Sequence, residues 1–77
     1  MMPTVLRREG LEFVIYFDDH NPPHVHVFKA EGEAKIDLEP IAVTAVWRLK
    51  RTDVRHAKRI ALEHQAYLMD RWREING

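Results

Sequence analysis

The chain contains no cysteine. That excludes disulfide cross-links and any thiolate-held zinc site, and it fits a reducing compartment. Long apolar runs are missing as well: no stretch approaches the roughly 18 residues of a membrane span, and the N-terminus lacks a basic-then-apolar leader pattern. A soluble, cytoplasmic protein with no membrane association is expected. Net charge is zero, with 12 basic and 12 acidic residues, but the balance conceals a polarity. Residues 1–46 hold four Lys/Arg against eight Asp/Glu, and residues 47–77 hold eight against four. Length is the last scarcity. Seventy-seven residues make a single domain, 1–77, that buries only about 60–65% of its unfolded surface. So small a core gains from association, and a homodimer or a small cognate protein partner is expected.

What the chain does have is a concentration of histidine. Three of its five histidines fall at His20, His24 and His26, in the stretch Asp18-Asp19-His20-Asn21-Pro22-Pro23-His24-Val25-His26-Val27-Phe28-Lys29. Histidine changes charge near neutral pH and is the commonest metal ligand. The two prolines fix their own φ angles and push the residues before them into extended or turn conformations. Any chemical centre is expected here.

The pattern around this stretch predicts strands. Residues 4–8 and 11–17 read as a hairpin turning at Glu9-Gly10, with Leu11, Phe13, Ile15 and Phe17 on one face at period two. Residues 24–29 and 33–39 read as a second hairpin centred on Glu31-Gly32. That centre sets Val27 opposite Ile36 and Val25 opposite Leu38 on the core face. On the other face it sets Phe28 opposite Lys35, His26 opposite Asp37 and His24 opposite Glu39. After Pro40, residues 41–47 read as a fifth strand.

From Thr52 or Asp53 to about Ile75 one amphipathic helix is predicted. Val54, Ala57, Ala61, Leu68, Trp72 and Ile75 line one side of it, while Arg55, Arg59, Glu63, Asp70 and Arg73 line the other. His64 falls in the apolar arc and reads as a core histidine. Trp47 and Trp72 read as core aromatics. Just before and within the first turns, Arg48, Lys50, Arg51, Arg55, Lys58 and Arg59 form a basic run broken only by Asp53. Such a run holds phosphates or is simply a solvated face. The expected fold is α+β: an antiparallel meander of four to five strands with one long C-terminal helix packed on one face.

Met2-Pro3-Thr4-Val5-Leu6-Arg7, His20-Asn21-Pro22-Pro23-His24-Val25-His26-Val27, Gly32-Glu33-Ala34-Lys35-Ile36 and Leu38-Glu39-Pro40 together resemble the bacterial domain-of-unknown-function family 4160. The resemblance covers nearly the whole chain. It implies a small single domain working in a two-gene toxin–antitoxin-type cassette, with a protein partner and a nucleic-acid-directed activity. The sequence departs from that pattern at Arg48-Leu49-Lys50-Arg51, where relatives carry a glycine-containing turn.

Three readings of the histidine cluster stand side by side. In the first, His20, His24, His26, Asp37 and Glu39 form an RNA-cleaving centre. Two histidines act as general acid and base, Lys35, Arg55 and Arg59 supply positive charge to phosphate, and Phe28 stacks a base. In the second, His20, His24 and His26 bind a divalent metal such as zinc, a three-imidazole set with one position open. In the third, the histidine–carboxylate pairs are ordinary cross-strand contacts on a face that docks a partner.

Overall fold

In the computed structural model, which describes residues 3–77, five strands are followed by two helices. The strands are β1 (Thr4–Arg8), β2 (Leu11–Val14), β3 (His24–Lys29), β4 (Gly32–Leu38) and β5 (Ile41–Trp47). They form one antiparallel sheet in the order β1-β2-β3-β4-β5, a simple meander. The helices are α1 (Arg51–Glu63) and α2 (Gln65–Asn76). The class is α+β, and no helix is long and apolar enough to cross a membrane.

The core forms where period two meets period 3.6. Leu11, Phe13, Val25, Val27, Ala34, Ile36 and Leu38 alternate along β2, β3 and β4, and all are buried. They pack in one cluster with Ala57, Ile60 and Ala61 of α1 and Leu68, Met69 and Trp72 of α2. Burial of this kind stabilises by about 25 cal/mol per Å² of apolar surface.

Five expectations need correction. The single helix is two, because His64 leaves helical geometry (φ −116°, ψ 23°) between α1 and α2. Neither proline nor glycine marks the break. Tethers to the sheet accompany it instead: the Gln65 amide donates to the Leu38 carbonyl and the Tyr67 hydroxyl to that of Val5. His64 itself is only half-buried.

The second hairpin turns one residue earlier than the glycine suggests, which moves each cross-strand partner by two. Its tip is Ala30-Glu31, with Ala30 at φ 51°, and the pairs are Lys29 with Gly32, Val27 with Ala34, Val25 with Ile36, His26 with Lys35 and His24 with Asp37. A shift of two preserves the faces but replaces every partner. Gly32 serves the packing rather than the turn, since a β-carbon there would overlap the carbonyl oxygen of Arg48.

Trp47 is not a core residue; it is 59% exposed. Lys35 pairs with Ala45 and Ile36 with Val43, which leaves Thr44 as an extra residue in β5. This bulge reverses the alternation, so Trp47 leaves the side occupied by Ile41 and Val43. Phe17 is exposed too: Ile15 is still buried in the core, and the chain turns away at Phe17-Asp18, where Asp18 is left-handed (φ 57°).

Candidate metal centre

The β2–β3 connection folds back so that Asp19 meets the first residues of β3. Two contacts from the last turn of α2 hold it there. The Asp19 backbone N–H donates to Asn76 Oδ1 (3.0 Å), and Asn76 Nδ2 donates to the Tyr16 carbonyl (2.9 Å). One asparagine thereby clamps both sides of the loop. The ladder between β3 and β4 continues into the same loop, with the Leu38 N–H donating to the Pro23 carbonyl.

Strand alternation sets His24 and His26 on one side of β3, with ring centroids 5.2 Å apart. The ligand atoms of Asp19, His24 and His26 all lie within 4.8 Å of one another. Asp19 Oδ2 is 2.8 Å from His24 Nε2 and 3.7 Å from His26 Nε2. The remaining nitrogens face oxygen as well: His24 Nδ1 is 2.8 Å from the Pro22 carbonyl, and His26 Nδ1 is 3.1 Å from Glu33 Oε2. Trp72 walls the group from below, its ring 5.1 Å from that of His24, and Tyr16 meets His26 edge-on at 4.5 Å.

This arrangement constrains the protons. A neutral imidazole has one N–H. The Pro22 carbonyl and the Asp19 carboxylate both accept only, so the single proton of neutral His24 serves one of them and leaves a nitrogen lone pair facing the other. His26 repeats the pattern with Glu33 on one nitrogen and Asp19 on the other. Asp19 Oδ2 is accordingly buried with no hydrogen-bond donor, although Asp19 Oδ1 accepts from the His20 backbone N–H. Asp37, across from His24, also has a buried carboxylate oxygen without a donor. Positive charge between the Nε2 atoms and Oδ2, from protons or a cation, relieves the conflict.

The two Asp19–histidine distances suit a small cation. Two ligands bound at about 2.0–2.1 Å with tetrahedral angles stand about 3.3 Å apart. The two Asp19–histidine separations bracket that value. Each imidazole already has the outer oxygen partner that metal-bound histidines use to fix tautomer and ring orientation. The surrounding field is negative: burial, followed by the charges of Glu33 and Asp19, raises the pKa of Tyr16 above its ordinary value.

Of the residues singled out from sequence, His24 and His26 come together. His20 is exposed and contributes only its backbone, so Asp19 supplies the third ligand atom. Asp37 lies beside His24, outside the trio. Glu39 is exposed at the β4–β5 turn and no longer faces His24. Lys35 neighbours His26, while Phe28 pairs with Glu12 and Glu33. Arg59 is engaged elsewhere, by Glu9 and Glu63, and Arg55 lies along a groove with Val46, Leu49 and Lys58. Sequence reasoning missed Asp19 as a ligand although it stands five residues before His24. It also missed Asn76, Glu33 and Trp72, whose roles depend on tertiary placement.

A family model described as "Domain of unknown function (DUF4160)" matches residues 10–73. No curated protein and no solved structure matches the chain.

Proposed function

We propose, from the premise that the chain belongs to the DUF4160 family, that Asp19, His24 and His26 bind one divalent cation of the zinc type. One observation carries this reading: a buried Asp19 oxygen without a donor faces two imidazole nitrogens whose rings are oriented by other oxygens. Three protein ligands leave coordination open to water, the pattern of catalytic rather than structural zinc, and such a metal lowers the pKa of bound water toward neutrality. The centre then belongs to a hydrolytic or ligand-binding component of a toxin–antitoxin-type pair. The pairing with a small cognate protein is supported by the family resemblance.

A second reading, metal-free RNA cleavage by His24 and His26, draws support from Lys35 next to His26 in the ladder. One experiment separates the two. Tag-free protein is titrated with cobalt(II) and zinc(II), followed by absorption spectroscopy and elemental analysis, for the wild type, His24→Ala, His26→Ala, Asp19→Asn and His20→Ala. The metal reading expects one equivalent bound, loss in both histidine variants, at least tenfold weaker binding in Asp19→Asn, and no change in His20→Ala. Absence of binding at micromolar metal overturns it. RNA cleavage that survives chelation and disappears in His24→Ala establishes the second reading in its place.

A further inference from the structure

We infer that the Trp47–Arg48 corner and the cations of α1 beside it form a binding strip for single-stranded nucleic acid. The strip lies on the far edge of the sheet from β1, is built from residues other than the metal ligands, and stands whether or not the centre holds a metal.

The first observation is an exposed aromatic ring that the fold holds in place. Trp47 ends edge strand β5 with 59% of its surface open, next to Val46 at 49%. The guanidinium of Arg48 lies 4.7 Å from its ring centroid. Arg48 is left-handed (φ 55°), a conformation that costs a bulky residue about 1 kcal/mol or more. Gly32 packs against the Arg48 carbonyl and leaves the corner no room to relax inward. Such a flat, prepositioned platform suits an unstacked base, which stacks on aromatic rings and guanidinium planes.

The second observation is unbalanced charge. Elsewhere on the helices the cations have acidic partners: Arg59 with Glu9 and Glu63, Arg71 with Glu74, Arg73 with Asp70. Lys50, Arg51, Arg55 and Lys58 have none within 4.0 Å among the described residues, and the one acid in their midst, Asp53, is taken by Lys29. Arg51, Arg55 and Lys58 follow one side of α1, about 6 Å and then 4.5 Å apart along its axis. They rim a groove of about 300 Å³ floored by Val46, Leu49 and Val54. The row of cations and its apolar floor lie on the helix side of edge strand β5 and the Trp47 ring on its other face, so a single strand wrapping this edge through Arg48 meets phosphate-binding cations and then a surface for a flat base.

The strip also leads toward the centre. Trp47 pairs with Glu33 across β5 and β4, and Glu33 bonds His26. Two strand spacings, about 10 Å, and two residues along the strand, about 7 Å, put the platform about 12 Å from His26.

The test is fluorescence anisotropy of labelled 12-nucleotide RNA and DNA strands of one sequence, the corresponding duplexes, and a poly-glutamate competitor, with the full chain at low and moderate salt. Binding of a single strand is expected to weaken about tenfold or more in Trp47→Ala and to recover largely in Trp47→Phe. The salt slope should fall by about 2 in Arg51→Ala/Arg55→Ala/Lys58→Ala, and Arg73→Ala, on α2 and paired with Asp70, should leave binding unchanged. The RNA and DNA arms show which strand is preferred. Three results overturn the inference: no single-strand binding at low salt, wild-type affinity in Trp47→Ala, or poly-glutamate competing as well as the oligonucleotide. The last would identify an acidic peptide as the occupant.

Discussion

Gly32 and Arg48, far apart in sequence, are packed so closely that the Arg48 backbone leaves no room for a side chain at position 32. A β-carbon on Gly32 would overlap the Arg48 carbonyl oxygen and stand 2.7 Å from Leu49 Cδ2. Backbone cannot step aside as a long side chain can. Gly32→Ala should therefore destabilise the domain by about 2–4 kcal/mol, measured as a lower urea midpoint.

Arg48 makes the converse case. Glycine adopts its left-handed geometry without strain. Arg48→Gly should gain about 1 kcal/mol of strain relief and lose about 0.5 kcal/mol of exposed cation–π contact. The net is a slightly more stable domain. Oligonucleotide affinity should fall in the same variant, so stability and binding move in opposite directions.

Asn76 holds the loop that carries Asp19. Asn76→Ala removes two hydrogen bonds, a cost of about 1–2 kcal/mol, and frees Asp19 from its place opposite the imidazoles. Cobalt affinity should drop about tenfold, with the spectrum of the bound fraction unchanged. A fall in stability without any change in metal affinity would show that Asn76 anchors the helix alone.

Acid should expose the contribution of Glu9. A hydrogen bond from Arg59 holds its carboxyl below the ordinary value of 4.5. The native state thus takes up its proton at lower pH than the unfolded chain does. The stabilisation is present above about pH 4.5 and is lost as pH falls through the lowered native value. In Glu9→Gln, urea midpoints measured against pH should decline less steeply below pH 4.5 than in the wild type.

Much of the fold was legible because local pattern and tertiary packing agree. Strands β1, β3 and β5 fall where alternation and turn residues place them. Disagreement arose where one residue answered to a distant neighbour. Gly32 reads as a turn glycine, yet its lack of a side chain is needed against Arg48. Thr44 carries no mark of a bulge, and that extra residue moves Trp47 from the core side to solvent. His64 interrupts a sequence with no helix breaker, while Gln65 and Tyr67 bond to carbonyls on β4 and β1. The centre was legible to the extent that histidine is rare and clustered. Choosing between His20 and Asp19 required the path of the loop, which no spacing rule supplies.

The clamp from Asn76 joins the end of α2 to the loop between β2 and β3. The Asp19 loop is therefore pinned only while the last turn of α2 is wound. Fraying of that turn leaves the sheet and its histidines in place but releases the carboxylate. The sheet supplies the imidazoles, and the state of a helix end decides whether the third ligand is among them.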